Sequence, residues 1–403
     1  MAFRVDGVSG RLLSGFFVWS CIMLLMCSSS VSAEDAAADL ERLPGSRAAV
    51  IDLLLQHAVS RGLIGGAVVL VGNHQQTLYA HAVGRAGFDP QSPALTLTTR
   101  FDVASLTKVF ATAPAIMRLL DQERLSLLAP LSHWLPECSG CTVTLLQLLT
   151  HTSGLQDVSL DPVAPLTSIF SAAVSQASEV PANRFRYADI NFILLGSLVK
   201  QVTSMELDQY CHESFYKPLG MSATGFRPDA PANTAATLGA SGDVLQGVVQ
   251  DERARILGGV AGHAGLFSTA EDLGVFMRML MNNGILNGTR VLSARAVSQM
   301  TAPYFANSGL ITRGLGWDRS SPFDAPRGKL FSEVSFGHTG YSGVSVWMDP
   351  ELDLFVVLLT TRFEYRDRRA FNRLRSDIST VTVSVFAGKN TRNSGDVSAV
   401  NGR

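Results

Sequence analysis

Apolar and polar positions follow two different periods along this chain, and the change of period divides it. Val50, Leu53, Leu54 and Ala58 recur at helical spacing and predict a helix over residues 47–61. Two strand-like runs follow, 66–71 and 77–83, with Gly72 and Asn73 between them as turn residues. From about 105 to 283 the pattern is mainly helical, broken by Pro- and Gly-rich loops. The period then returns to two: runs at 344–348 and 354–360 flank Asp349-Pro350-Glu351 and predict a β-hairpin. Strands at both ends with helices between them predict an α+β fold. Its antiparallel sheet is assembled from both chain ends, flanked by helices, with a mainly helical lobe inserted. The sheet lobe is expected over about 45–104 and 300–388 and the helical lobe over about 105–299. Beyond Gly388 the residues are polar and small, which predicts a disordered tail over 389–403.

The first stretch has a pattern of its own. Arg4 and Arg11 precede an apolar run from Leu12 to Met26, and small residues ending Val31-Ser32-Ala33 lead into Glu34-Asp35. That layout predicts a secretory signal peptide over 1–33, cleaved after Ala33, and a periplasmic or secreted protein. An uncleaved anchor is the alternative, and the only membrane contact expected. A lipid attachment at Cys27 is disfavoured by the bulky Met26 before it. Export leaves Cys138, Cys141 and Cys211 in the mature chain. Cys138-Ser-Gly-Cys141 reads equally as a local disulfide or as two free buried thiols. As a zinc half-site it lacks a second ligand pair, so no metal or other cofactor is expected.

Composition adds mainly exclusions. The 403 residues are 46% hydrophobic and 17% charged, with a formal net charge of −1. A chain this long supports a large core, and the absence of a basic run excludes nucleic acid as main partner. No repeat of solenoid or propeller length recurs.

Candidate chemistry begins at Ser105-Leu106-Thr107-Lys108. Leu106, Phe110, Ala113, Met117 and Leu120 form one apolar stripe, widened by Val109, Ile116 and Leu119, so the helix opening at Ser105 should be buried. Pro114 should kink or break it. Lys108 falls one turn after Ser105 on the same face. Burial and the helix dipole predict a depressed lysine pKa and hence a general base for the serine hydroxyl. The plainer readings are a helix-capping serine and a lysine reaching the surface. Tyr187 and Asp189 open a second apolar helix, where Tyr187 can share a proton with a lysine and Asp189 is either a cleft residue or a simple cap. His338-Thr339-Gly340 precedes the hairpin, where glycine lets a ligand approach the strand edge.

In that order and spacing, these segments resemble the S-x-x-K, Y-x-N and K-T-G motifs of the penicillin-recognising serine hydrolases. The chain is similar to the branch holding class C β-lactamases, D,D-peptidases, D-aminopeptidases and related esterases. Further likeness lies in L-L-T-H-T-S-G-L from Leu148, L-G-G-V-A-G-H-A-G-L-F-S from Leu257, and H-T-G-Y-S-G from His338, and it spans about 47–386. The resemblance implies a β-lactamase/transpeptidase-like fold and an acyl-enzyme mechanism. Ser105 is then the nucleophile, with Lys108 and Tyr187 moving its proton. The backbone N–H groups of Ser105 and Tyr341 form the oxyanion hole, and Asp189, His338, Thr339 and Gly340 contact substrate.

Two positions depart from that pattern: His338 stands where the family has lysine, and Asp189 where it has asparagine. The first removes a permanent positive charge and the second adds a negative one. Both favour an ester, or an amide lacking a strong anionic group, over an efficient β-lactamase. The expected activity is that of an esterase or a D-alanyl-D-alanine carboxypeptidase on a small-molecule or peptidoglycan-derived acyl substrate, with a true β-lactamase or a D-aminopeptidase as the alternative. If His338 binds an anionic substrate by its charge, efficiency should fall above about pH 6.5. Other classes fare worse. Gly340-Tyr-Ser-Gly343 and Gly239-Ala-Ser-Gly242 miss the spacing of a nucleophile elbow, and His212-Glu213 lacks the second histidine of a zincin, with Tyr216 in its place. A catalytically idle cell-wall-binding protein is the non-enzymatic alternative. Asn287-Gly-Thr289 matches a glycosylation sequon without further support.

Overall fold

The principal sheet has eight strands: β1 (Ile64–Gly72), β2 (Thr77–Gly84), β3 (Tyr304–Ala306), β4 (Ile311–Arg313), β5 (Asp318–Ser320), β6 (Phe336–Thr339), β7 (Ser345–Asp349) and β8 (Leu354–Arg362). Their order is β3-β4-β5-β6-β7-β8-β1-β2, with every neighbour antiparallel. The computed structural model describes residues 48–177, 184–323 and 325–387, all within one compact unit. The expected signal peptide at 1–33 and tail at 389–403 lie outside the described residues.

β1 and β8 come from opposite ends of the chain and pair toward one end of the sheet, with only β2 beyond β1, Val68 facing Leu359 and Leu70 facing Val357. Period-two alternation sends their side chains to two cores. Val68, Leu70, Phe355, Val357 and Leu359 enter the larger core, while Val69, Val71, Val356 and Leu358 enter the smaller. Helices α1 (Ala49–Ser60) and α5 (Arg368–Phe386) close the smaller core through Ile51, Leu55, Phe371 and Ile378. On the other face lie α2 (Ala113–Asp121), α3 (Ile190–Thr203) and α4 (Ala270–Met281), whose buried residues fill the larger core. A fully buried Val, Leu or Phe contributes about 1.5–3 kcal/mol, so strands buried on both faces are the natural centre of the fold.

The expected α+β architecture is therefore present, including the hairpin of β7 and β8. Two local features differ from the sequence reading. The central region is not all helix, because Phe101–Asp102, Leu266–Ser268 and Gly225–Phe226 form a small three-stranded sheet. The segment after Ser105 is not one regular helix either. A tight turn at Ala104–Leu106 and a wide π turn at Lys108–Thr112 precede α2. Cys138 and Cys141 are free thiols, both buried. Among the described residues no helix is long and apolar enough to cross a membrane.

Candidate active site

The segment carrying Ser105 is built around a buried carboxylate. Asp102 lies on the short strand paired with Leu266–Ser268, where its side chain accepts the N–H of Ala104 at 2.8 Å and of Gln250 at 2.7 Å. Burial pushes its pKa up to about 6 against those two bonds. The first of them holds Ala104 at φ +46°, a left-handed conformation that costs a non-glycine residue about 1–3 kcal/mol. That turn leaves Ser105 only half-buried while its neighbours are sealed in the core.

Pro114 explains the π turn that follows. A proline has no N–H to give the carbonyl four residues back, and its ring crowds that carbonyl. Here the wider turn separates the two groups, and the hydroxyl of Tyr216 donates to the Phe110 carbonyl at 3.1 Å instead. The expected kink is thus a change of helical pitch, and it leaves Lys108 facing inward.

Lys108 is fully buried, which removes the surface-lysine alternative. Its ammonium has three hydrogens and three acceptors: Ser105 Oγ at 3.0 Å, Asp189 Oδ1 at 2.8 Å and the His263 carbonyl at 3.1 Å. The sequence predicted a depressed lysine pKa, and the structure overturns that. Burial does act against the charge, but Asp189 and then Tyr187 outweigh it and hold Lys108 above the ordinary lysine range. Asp189 correspondingly stays below the usual carboxylate range, because Lys108 and His263 overcome its own burial.

Asp189 makes no side-chain cap on α3. Asp157 does that work, its Oδ1 accepting the Ile190 N–H at 2.9 Å. Arg253 lies 3.6 Å from Asp189 and 3.8 Å from Asp157. Asp189, Asp251 and His263 each place a potential ligand atom within 4.8 Å of the others. Protein partners already occupy that set: Asp189 holds Lys108, and Asp251 Oδ1 holds His263 Nε2 at 2.8 Å.

Tyr187 approaches from the start of α3, its ring centroid 5.1 Å from Lys108 Nζ. The ring stacks on His151 at 4.3 Å and 27° and lies 5.3 Å from Phe323 and 6.1 Å from His338. His338 is buried on β6, where its Nδ1–H donates to the Thr339 carbonyl at 2.9 Å. Burial, then Arg313 and Lys108, push its pKa well below the ordinary histidine value. His338 is therefore neutral at working pH, and the expected loss of efficiency above pH 6.5 has no group to drive it.

The turn after β6 is fastened to the serine segment. Ser342 Oγ donates to the Asp102 carbonyl at 2.7 Å, and Gly340 N–H donates to the Val344 carbonyl at 2.8 Å. A Cβ on Gly340 would lie 2.4 Å from Val344 and 2.8 Å from the Val103 carbonyl, so only glycine fits that approach. Arg375 on α5 donates to the carbonyls of Gly340 and Val344 at 2.8 and 2.7 Å. It is 5% exposed and, among the described residues, has no carboxylate partner. Burial and then Arg362 push its pKa down to about 9.

All the residues singled out by sequence converge on one cleft. Ser105, Tyr187 and Tyr341 line two adjoining pockets. The larger, about 870 Å³, adds Asp189, Asp251, Glu252 and Glu364. The smaller, about 360 Å³, adds His338, Thr339 and Gly340 together with Arg313, Arg362, Arg368 and Arg375. Asp318, paired with Arg313 at 3.1 Å, is the carboxylate among the residues lining that pocket. The sequence reading missed the arginines, Asp251, His263 and the role of His151. The two histidines do lie in segments already noted for their likeness, but the arginines carry no local signal.

Comparison with known proteins places this site in a wider group. The Beta-lactamase family model matches residues 51–379. A relative from Escherichia coli O157:H7, named "Putative D-alanyl-D-alanine carboxypeptidase", is 28% identical over 85% of this chain and 89% of its own length. The fold recurs at lower identity in solved structures. A penicillin-binding protein homolog from Caulobacter crescentus gives a TM-score of 0.68 at 20% identity, covering 84% of this chain and 98% of that one. Simvastatin synthase (LovD) from Aspergillus terreus gives 0.65 at 20% identity, again over 84% and 98%.

Proposed function

Because the chain belongs to the beta-lactamase family of serine hydrolases, we propose that it cleaves an amide whose leaving group carries a carboxylate, through an acyl-enzyme on Ser105. The observation that carries this reading is the opposition of charge across Ser105. On one side Arg362, Arg368 and Arg375 face a pocket of about 360 Å³, large enough for one amino acid. Arg362 and Arg375 are buried against aromatic rings and carbonyls, and among the described residues neither forms an ion pair with a carboxylate, so an incoming carboxylate would relieve their charge. On the other side a larger pocket of about 870 Å³ receives the acyl portion.

In the proposed cycle Ser105 Oγ adds to the substrate carbonyl while its proton passes to the Lys108–Tyr187 pair and on to the leaving amine. The C–N bond breaks, leaving an ester on Ser105. Water then adds to that ester, the carboxylic product departs, and Ser105 regains a proton. Lys108 rests as a cation beside Asp189, so it accepts a proton only after handing one to the Asp189 carboxylate. The backbone N–H groups of Ser105 and Tyr341 are the proposed donors to the oxyanion. A peptide ending in D-alanyl-D-alanine is the proposed substrate, supported by the charge pattern and by the name of the Escherichia coli relative. Such a substrate lies outside the cytoplasm, in keeping with the apolar segment from Leu12 to Met26.

A second reading, hydrolysis of neutral esters, is favoured by one observation: His338 is neutral where the resemblance expects a cation. One experiment separates the two. The full chain is assayed with an N-acylated D-alanyl-D-alanine peptide, the same peptide with its C-terminus amidated, and a short-chain aryl ester, with Ser105→Ala as control. We expect the free carboxylate to raise kcat/KM at least about tenfold over the amidated peptide. Equal rates on both peptides, with faster ester turnover, would turn the assignment to esterase.

A further inference from the structure

One face of Tyr187 and the backbone on either side of it are held by a residue that the proposed reaction does not use. His151 is fully buried and occupies a left-handed conformation, φ +56°, that brings its backbone and its ring to the same short segment. Its carbonyl accepts the Arg186 N–H at 2.8 Å. Its Nδ1 accepts the Ala188 N–H at 3.3 Å, and the Asn191 side-chain amide donates to the same nitrogen at 3.1 Å. The face of its ring lies against the Tyr187 ring at 4.3 Å. One histidine therefore grips the residues before and after Tyr187 and the tyrosine ring itself.

The chemistry of the imidazole suits this task. Accepting two N–H groups at Nδ1 requires that nitrogen to be bare, which is the tautomer protonated at Nε2. A positive ring would lose the acceptor. Burial opposes that charge first, with Arg313, Lys108 and His338 adding to it, so the pKa lies well below the ordinary histidine value. Asn191 is in turn oriented by Ser153 Oγ, which donates to its Oδ1 at 2.6 Å. The segment 148–155 thus forms a cradle under the start of α3.

We infer that His151 is the positioning residue for Tyr187, setting the phenol against Lys108 and Ser105 through its Nδ1 acceptor, its carbonyl and its ring face. The inference rests on the reading of Ser105, Lys108 and Tyr187 given above. Its reach is geometric: a displacement of about 1 Å in a reacting group costs on the order of 100-fold in rate.

Two substitutions separate the contributions. His151→Phe keeps a ring and removes the acceptor. His151→Asn removes the ring but places an amide oxygen near Nδ1, and asparagine tolerates positive φ. Two readouts are taken on the full chain: the rate of covalent labelling by a small fluorophosphonate, and amide hydrogen exchange of the peptide covering 185–189. We expect His151→Phe to slow labelling about 100-fold and speed exchange of that peptide. His151→Asn should stay within about tenfold of the parent, with exchange near normal. In a Tyr187→Phe background, His151→Phe should add nothing, since its effect runs through the phenol.

Parent-like exchange at 185–189 in His151→Phe would overturn the inference. So would an undiminished cost of His151→Phe in the Tyr187→Phe background. Failure of the underlying reading looks different: the parent chain would resist labelling, or Ser105→Ala would label equally, while the exchange pattern still reports whether His151 holds the segment.

Discussion

The two walls of the cleft are made of different material. On the helical wall the groups near Ser105 are side chains in close pairs: Lys108 with Asp189, His263 with Asp251, and Arg253 behind them. On the strand wall they are main-chain groups of the turn 340–344, fastened by Ser342 and Arg375 beside a neutral His338. The first wall can move a proton because its charges are close and shielded from water. The second can hold a carbonyl oxygen in place because its donors are fixed before substrate arrives. Damage to the two walls should therefore differ in kind as well as in size.

The largest effect is expected at Lys108. Lys108→Met leaves Asp189 largely buried with Arg253, at 3.6 Å, as its remaining cation, which should cost up to about 3–5 kcal/mol of stability in denaturant unfolding and reduce turnover beyond about 1000-fold. Adding Asp189→Leu should return much of the stability and none of the activity. If both returned, the pair would be structural only, and the helical wall would lose its distinction.

Arg375→Met comes next. Losing both bonds to the turn should displace the Tyr341 N–H and lower kcat/KM about 100-fold. Equal losses on the free peptide and on a neutral aryl ester would assign Arg375 to the turn. A loss confined to the free peptide would instead assign it to the carboxylate.

The smallest effect is on pH dependence. With the His338 pKa well below its unfolded value near 6.5, the unfolded chain takes up the proton first as pH falls. Its contribution to stability is present above about pH 6.5 and declines below it, by about 1.4 kcal/mol per pH unit at most. Thermal unfolding followed from pH 7.5 to 5.5 should therefore fall less steeply in His338→Gln than in the parent. Parent kcat/KM should show no decline through pH 6.5 attributable to His338; a decline that His338→Gln abolishes would restore the charged-histidine reading.

Much of the framework was legible in the residues. Period-two runs located β1, β2, β7 and β8, and helical spacing located α1, because each of these elements buries a face that its own local pattern declares. The short strands β3 to β5 at one end of the sheet were missed because three-residue strands carry too short a pattern. Pro114 correctly signalled an interruption, although its form depended on Tyr216, 106 residues from the carbonyl it satisfies.

At the cleft the division falls between residue identity and residue state. The residues alone establish which side chains are present, their order in the three motifs, and an α+β sheet drawn from both chain ends, since periodicity and local motifs are properties of neighbours along the chain. Three-dimensional packing makes Lys108 a cation, turns Asp189 to it instead of to the cap of α3, keeps His338 neutral and brings His151 against Tyr187. Those outcomes depend on burial and on contacts between residues far apart, such as the 81 separating Lys108 from Asp189 or the 240 separating Asp102 from Ser342. Desolvation and Coulomb energy act through space, and distance along the chain does not report them.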